Sequence, residues 1–203
     1  MKFHLVGKII STTLLSMVLS ACTLAPHSSA PTVSITQNQQ LQLPSPDSLG
    51  YAVTASQLIE ATWNQGDNHR TEQLPVQLQV SGNQLVLAGF SSWGTRVLSL
   101  NYQDDKVDTE VMNGLSGVLP APEQVLFNLM ITLWPDSAWE APLNKVRWHM
   151  VDNANSRAIF DNNGNQVIDI QYSSSDRLAG EIVFHHLTDN YTIKIKTLQF
   201  NRA

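Results

Sequence analysis

The 203-residue chain has a single cysteine, Cys22. With one thiol there is no internal disulfide, no cysteine zinc site and no dithiol redox chemistry. Positive charge is also scarce, with 12 Lys and Arg against 17 Asp and Glu for a formal charge of −5. Nucleic-acid binding and electrostatic attachment to anionic lipid both need clustered Lys and Arg, so neither fits this composition. Long apolar runs are missing as well. The stretch Ile9 to Leu19 would measure only about 16 Å as a helix, half of what a bilayer core requires. From Thr23 to about Ser48 there is no aromatic residue, almost no charge and no sustained apolar period, and the segment reads as a flexible tether closed by Pro44, Pro46 and Gly50.

What the N-terminus does have is Lys2 and Lys8 ahead of the short apolar run, then Leu19-Ser20-Ala21-Cys22. A basic start, a short apolar stretch and small residues before a cleavage point make a secretory signal. The four-residue sequence resembles the lipobox of bacterial lipoproteins. The resemblance implies cleavage before Cys22 and a thiol carrying diacylglycerol, with palmitate among the expected acyl groups. Thr23, where that pattern uses Asp for inner-membrane retention, implies the outer membrane of a Gram-negative cell, on its periplasmic face. The expected organisation is a signal peptide over 1–21, the lipidated cysteine and tether over 22–48, and one folded domain over 49–203.

Most of that domain alternates with period two, the mark of half-buried strands. Leu74, Val76, Leu78 and Val80 point one way, and Ser81-Gly82-Asn83 turns into a partner strand over Gln84 to Ala88. After Phe90-Ser91-Ser92-Trp93-Gly94 come Val97, Leu98, Leu100 and Tyr102, then a turn at Asp104-Asp105 and a strand with Val107, Thr109 and Val111 on one face. The second half repeats this: Val146, Trp148 and Met150; Ala158 to Phe160; Val167 to Tyr172; Glu181 to Leu187; Tyr191 to Phe200. With a first strand near Gln57 to Trp63, about eight to eleven antiparallel strands are expected, enough for a large curled sheet or an open barrel.

One segment breaks the alternation. From Val125 to Trp134, between Pro122 and Pro135, only Asn128 and Thr132 interrupt an apolar run that reads as a helix. A helix apolar on nearly every side must be surrounded, and the concave face of the sheet is the place for it. Leu126, Leu129, Met130 and Leu133 would then face Leu78, Leu87, Leu98, Leu100, Ile168, Ile170 and Phe184 across a hydrophobic cavity. The fold class expected is thus mainly β with a central helix, an antiparallel open half-barrel enclosing it.

Trp93 lies between small polar residues at a turn, where an exposed indole suits a membrane interface; with Phe90 it forms the candidate membrane or transfer loop. His185 and His186 are neighbours on a strand and point to opposite faces, so they do not share a metal ion. Gly89-Phe90-Ser91-Ser92-Trp93 lacks the last glycine and the following helix of a nucleophile elbow. No catalytic residue, metal or cofactor is expected.

The order of three local features resembles the LolA/LolB group of lipoprotein carriers and receptors. Phe90 to Gly94 is similar to a Pro-Leu-Gly loop on the LolB side. Leu133-Trp134-Pro135 resembles its Trp…Gly-Leu-Pro segment. Asn162-Asn163-Gly164 followed by Val167 to Tyr172 is similar to its Gln-Asp-Gly-Trp…Tyr hairpin. From about Ser48 to Phe200 the chain resembles a family of uncharacterised small bacterial lipoproteins, often encoded in aryl polyene biosynthesis clusters. The resemblance implies a monomeric outer-membrane lipoprotein that shelters a lipid, or an acylated or polyene ligand, and helps to insert it. A LolA-like periplasmic carrier is the implied partner. The alternative is a non-transporting accessory or scaffold lipoprotein that docks an export or biosynthetic complex through a sheet edge or an apolar patch.

Overall fold

The computed structural model describes residues 30–36, 39–65, 68–114 and 120–203. The signal segment and Cys22 lie outside the described residues. Ten strands form one antiparallel sheet: β3 (Val53–Gln65), β4 (Asn68–Ser81), β5 (Gln84–Phe90), β6 (Arg96–Gln103), β7 (Lys106–Val111), β8 (His149–Asp152), β9 (Ser156–Phe160), β10 (Gln166–Tyr172), β11 (Glu181–His186) and β12 (Tyr191–Arg202). The order is β7-β6-β5-β4-β3-β12-β11-β10-β9-β8, so the two halves of the chain fan out from a central seam where the first and last strands of the sheet pair. The sheet does not close: β7 and β8 are its edges. An open antiparallel sheet wrapped on a helix is the architecture expected from the alternating pattern and the apolar segment.

The short turns do what their residues dictate. Asp104 and Asp105 both take positive φ between β6 and β7, a conformation in which Asp is tolerated and which twists with the flanking strands. Registers then fix which turns share an end of the sheet. The β5–β6 turn (91–95), the exit of β7, the β9–β10 turn (161–165) and the β11–β12 turn (187–190) all lie at one end, here the Trp93 end.

The helix α1 (Pro122–Leu133) starts at Pro122, with Glu123 in its first turn. It packs against β7 and β11 on opposite sides of the seam, so it crosses the concave face. Leu126 to Leu133 is buried without interruption, including Asn128 and Thr132. The fourth side is closed by a part of the chain expected to be tether. Residues Thr32–Thr36 (β1) and Gln39–Gln42 (β2) form a separate hairpin, followed by a short 3-10 helix at Pro46–Leu49. Val33, Leu41, Leu43 and Leu49 are buried in the same core as α1, with β1 lying on that helix. The expected tether over 22–48 is corrected accordingly: from Thr32 the described residues are a strap, because the apolar side chains at 33, 41 and 43 pack on the side of α1 that the sheet leaves uncovered.

A second helix, α2 (Asp136–Val146), replaces the strand expected around Val146, Trp148 and Met150, of which only Met150 lies in β8. Trp139 and Leu143, one helical turn apart, bury its inner side, and Arg147 in the left-handed region ends it. No helix among the described residues is long and apolar enough to cross a membrane.

Candidate functional site

The structure brings ten of the eleven expected apolar residues into one core cluster, and Leu98, buried beside Gly89, lies outside that cluster. Leu78, Leu87 and Leu100 from one half of the sheet and Ile168, Ile170 and Phe184 from the other meet Leu126, Leu129, Met130 and Leu133 of α1, and none of these or Leu98 is more than 5% exposed. They form a filled core. Polar groups clamp α1 at two places, the side chains of Gln124 and Asn128 in its first half and middle, and the main-chain carbonyls at its C-terminal end. At the Trp93 end, the Tyr191 hydroxyl donates to Asn128 Oδ1 at 3.0 Å, and Gln124 Nε2 donates to the same oxygen at 3.1 Å. Burial pushes the Tyr191 phenol well above its ordinary pKa, so it stays a donor. At the far end, the Tyr172 hydroxyl donates to the Thr132 carbonyl at 3.0 Å.

The far clamp also holds a group that sequence reasoning missed. Arg157, fully buried, donates through Nη1 to the Ile131 and Trp134 carbonyls, at 2.5 and 2.9 Å, and through Nε and Nη2 to both oxygens of Asp152. Arg177 Nη2 reaches the same carboxylate at 2.7 Å. Two cations thus sit at the negative end of the α1 dipole with one anion between them. Burial alone would raise the Asp152 pKa, but the hydrogen bonds and charges of Arg157 and Arg177 outweigh it and hold the carboxyl below its usual range. Beside this cluster lies a cleft of about 570 Å³ walled by Leu49, Tyr51, Asp136, Asp176, Arg177 and Arg202. Arg202 pairs with Asp176 at 2.9 Å and Arg177 with Asp152 at 2.7 Å, and so charged a wall is a poor one for an acyl chain.

The Trp93 end is different in character. The β5–β6 turn is closed by its own backbone: Ser91 N donates to Thr95 O at 2.8 Å, and Gly94, at φ +78°, donates to Ser91 O at 2.9 Å. Nothing in this tight loop folds Trp93 back, and it is 91% exposed. Phe90 is half-buried; the neighbouring inward positions on β5 are Leu85, Leu87 and Gly89, so Phe90 points to the other face. Met112 and Leu187, 44% and 50% exposed, stand on the β7 exit and the β11–β12 turn of the same end. The inner face leading to this rim is aromatic: Trp63 lies across from Tyr191, which stacks on His186 at 5.0 Å and on Phe184 at 5.8 Å.

His186 is buried; burial lowers its pKa against the opposing charge of Asp189, and its Nδ1 accepts from the Asp189 backbone N–H at 3.1 Å. His185 faces the other side of the strand and pairs with Thr192 at 3.0 Å. Among the described residues no three His, Cys, Asp or Glu side chains cluster closely enough to hold a metal.

Residues 54–199 match the model of a family described as a protein of unknown function, DUF3261. No curated protein matches the chain. Solved structures similar to it include a LolA superfamily protein from Nitrosomonas europaea, 8% identical with a TM-score of 0.42, over 79% of this chain and 94% of that one. An outer-membrane lipoprotein-sorting protein domain from Vibrio parahaemolyticus is similar at 8% identity and a TM-score of 0.31, over 74% of this chain and 85% of that one. A DUF1329 family protein from Desulfovibrio piger is similar at 6% identity and a TM-score of 0.33, with the same coverage, 74% and 85%.

Proposed function

The chain belongs to the DUF3261 family, whose function is not established, and we propose that it is an outer-membrane lipoprotein, anchored through Cys22, that carries a lipid or an acylated or polyene ligand and delivers it at the membrane. The observation that carries this reading is the exposure of Trp93, 91%, at the end of the sheet from which the inner face and α1 are reached. An indole held out by a rigid polar turn has no use in the fold. At a bilayer interface its ring is buried while its N–H stays wet.

The ligand's seat is the layer between α1 and the sheet, lined by the eleven buried residues from Leu78 to Phe184 named above. In the described residues the hydrogen bonds that fasten α1 to the sheet lie at Gln124 and Asn128, on Tyr191, and at its C-terminal end, on Tyr172 and Arg157. The apolar span between them parts without breaking a hydrogen bond to the sheet. Release of the Asn128–Tyr191 clamp lifts the end of α1 nearest Trp93 and admits a chain there. An acyl chain of about twelve methylenes gains roughly 10 kcal/mol from burial at about 0.8 kcal/mol each, enough to hold it against water but not against a nearby membrane. The chemistry is transfer, and a LolA-like periplasmic carrier would be the donor. A second reading, an accessory protein that docks a complex and carries nothing, is favoured by one observation: the lining residues are at most 5% exposed and fill the interior themselves.

The test is Trp93→Glu. Stability should change by no more than about 0.5 kcal/mol, because the side chain touches no core. Transfer of a preloaded fluorescent fatty acid to liposomes should slow severalfold. Unchanged transfer would remove Trp93 from the delivery step.

A further inference from the structure

The hairpin β3–β4 is longer than its neighbours allow it to be covered. β3 pairs with β4 along its whole length, from Gln65 opposite Asn68 to Val53 opposite Val80. β5 pairs with β4 only between Val76 and Ser81. Among the described residues, Asn68 to Pro75 therefore has a strand on one side and none on the other, and all but Leu74 of these side chains are exposed.

The direction of the unpaired backbone groups follows from the turn below. Gly82 and Asn83 make a two-residue connection between Ser81 and Gln84, and in such a hairpin the flanking pair exchanges both backbone hydrogen bonds. Ser81 thus aims its N–H and C=O at β5, and with strict alternation so do the odd positions of β4. Above Val76 the same parity leaves the N–H and C=O of His69, Thr71 and Gln73 pointing into solvent, while Arg70 and Glu72 bond to β3. Pro75, next in this series, has no N–H to leave unpaired and marks where cover ends.

The two outermost strands of the sheet are guarded. β7 alternates Lys106, Asp108 and Glu110 on its exposed face, and β8 is four residues long. The β4 edge is longer and carries Arg70 and Glu72, of opposite sign, two residues apart on the face that also bears Trp63. Trp93 stands on the adjacent β5–β6 turn at the foot of the edge.

We propose that the free edge of β4 at His69, Thr71 and Gln73 is a docking site for an extended segment of a partner protein, which adds a strand to the sheet. Three donors and three acceptors at a spacing of about 6.8 Å fit a β-strand and no other element. The charges specify its chemistry: the bound strand places an acidic residue opposite Arg70 and a basic one opposite Glu72, on one face, two positions apart. A second copy of this chain fits badly. Matching Arg70 to Glu72 in both directions centres the pairing on Thr71 and drives the Asn68 end of each β4 into the other's β5–β6 loop. This inference stands apart from the lipid reading.

Amide hydrogen exchange on the full chain in detergent tests it, with nine-residue probe peptides of alternating Val and Thr carrying Glu and Lys two positions apart, in both orders. Saturating peptide should slow exchange of His69, Thr71 and Gln73 at least tenfold and leave Arg70 and Glu72, already bonded to β3, unchanged. Thr71→Pro removes one outward N–H and no internal backbone hydrogen bond, and both it and Thr71→Val lose the hydroxyl pair with Thr62 at 3.0 Å, so Thr71→Pro should weaken peptide binding at least tenfold, whereas Thr71→Val should retain it. If Thr71→Pro misfolds, the exchange pattern of the unmodified chain decides. Protection by neither peptide, or equal binding to Thr71→Pro and Thr71→Val, overturns the proposal. So does concentration-dependent protection of the same three amides without peptide, which would assign the edge to a second copy.

Discussion

With its guanidinium fully buried, Arg157 serves two main-chain carbonyls at the end of α1 and both oxygens of Asp152. Replacing it by Met leaves the carbonyls without that donor and Asp152 with Arg177 alone, a loss of about 3–5 kcal/mol in urea unfolding. A loss below about 1 kcal/mol would show that Arg177 and water take over. The same cluster gives stability a pH dependence. Because the folded state holds the Asp152 pKa below its usual value of about 4, the associated stability is present above that value and fades as pH falls through the folded pKa. Asp152→Asn should flatten that acid limb. None of this was legible in the sequence. Asp152 and Arg157 flank a turn, Arg177 comes from a separate loop, and only the fold carries the end of α1 to them. Trp93 was half legible: the polar residues and Gly94 around it allow presentation or folding back, and the backbone bonds of the turn decide for presentation.

At the scale of elements, period-two alternation identified the strands from β4 to β7 and from β9 to β12, and α1 stood out because Pro122 and Pro135 bracket an apolar run. The strap and α2 did not stand out. The strap spreads Val33, Leu41 and Leu43 thinly among Gln, Ser and Thr, so its burial depends on α1 offering a surface. α2 buries only Trp139 and Leu143, and Pro142 inside it reads as a helix stop. A strap and a tether respond differently to mutation. Leu41→Ala should cost about 2–5 kcal/mol in thermal or urea unfolding, as for a core leucine, while Ser34→Ala on the exposed side should stay within about 0.5 kcal/mol. A neutral Leu41→Ala would return residues 32–42 to the tether.

The molecule as a whole is a sheet whose two halves meet at β3 and β12, pairing residues far apart in the chain, with Gln57 and Thr197 hydrogen-bonded at 3.1 Å. An open antiparallel sheet around a helix was predictable from short turns and one apolar segment; the seam was not, because no local pattern couples strands at opposite ends of the domain. Around this frame one end presents apolar tips and the other is locked by ion pairs, so a ligand is expected to enter and leave at the Trp93 end. The central claim is that the layer under α1 accepts an apolar ligand. Native mass spectrometry of the protein extracted from its own membranes addresses it directly. A population heavier than the lipidated chain by the mass of one lipid or polyene is expected, lost when α1 is blocked by Leu129→Trp. A single species at the mass of the lipidated chain alone, before and after the substitution, would contradict it.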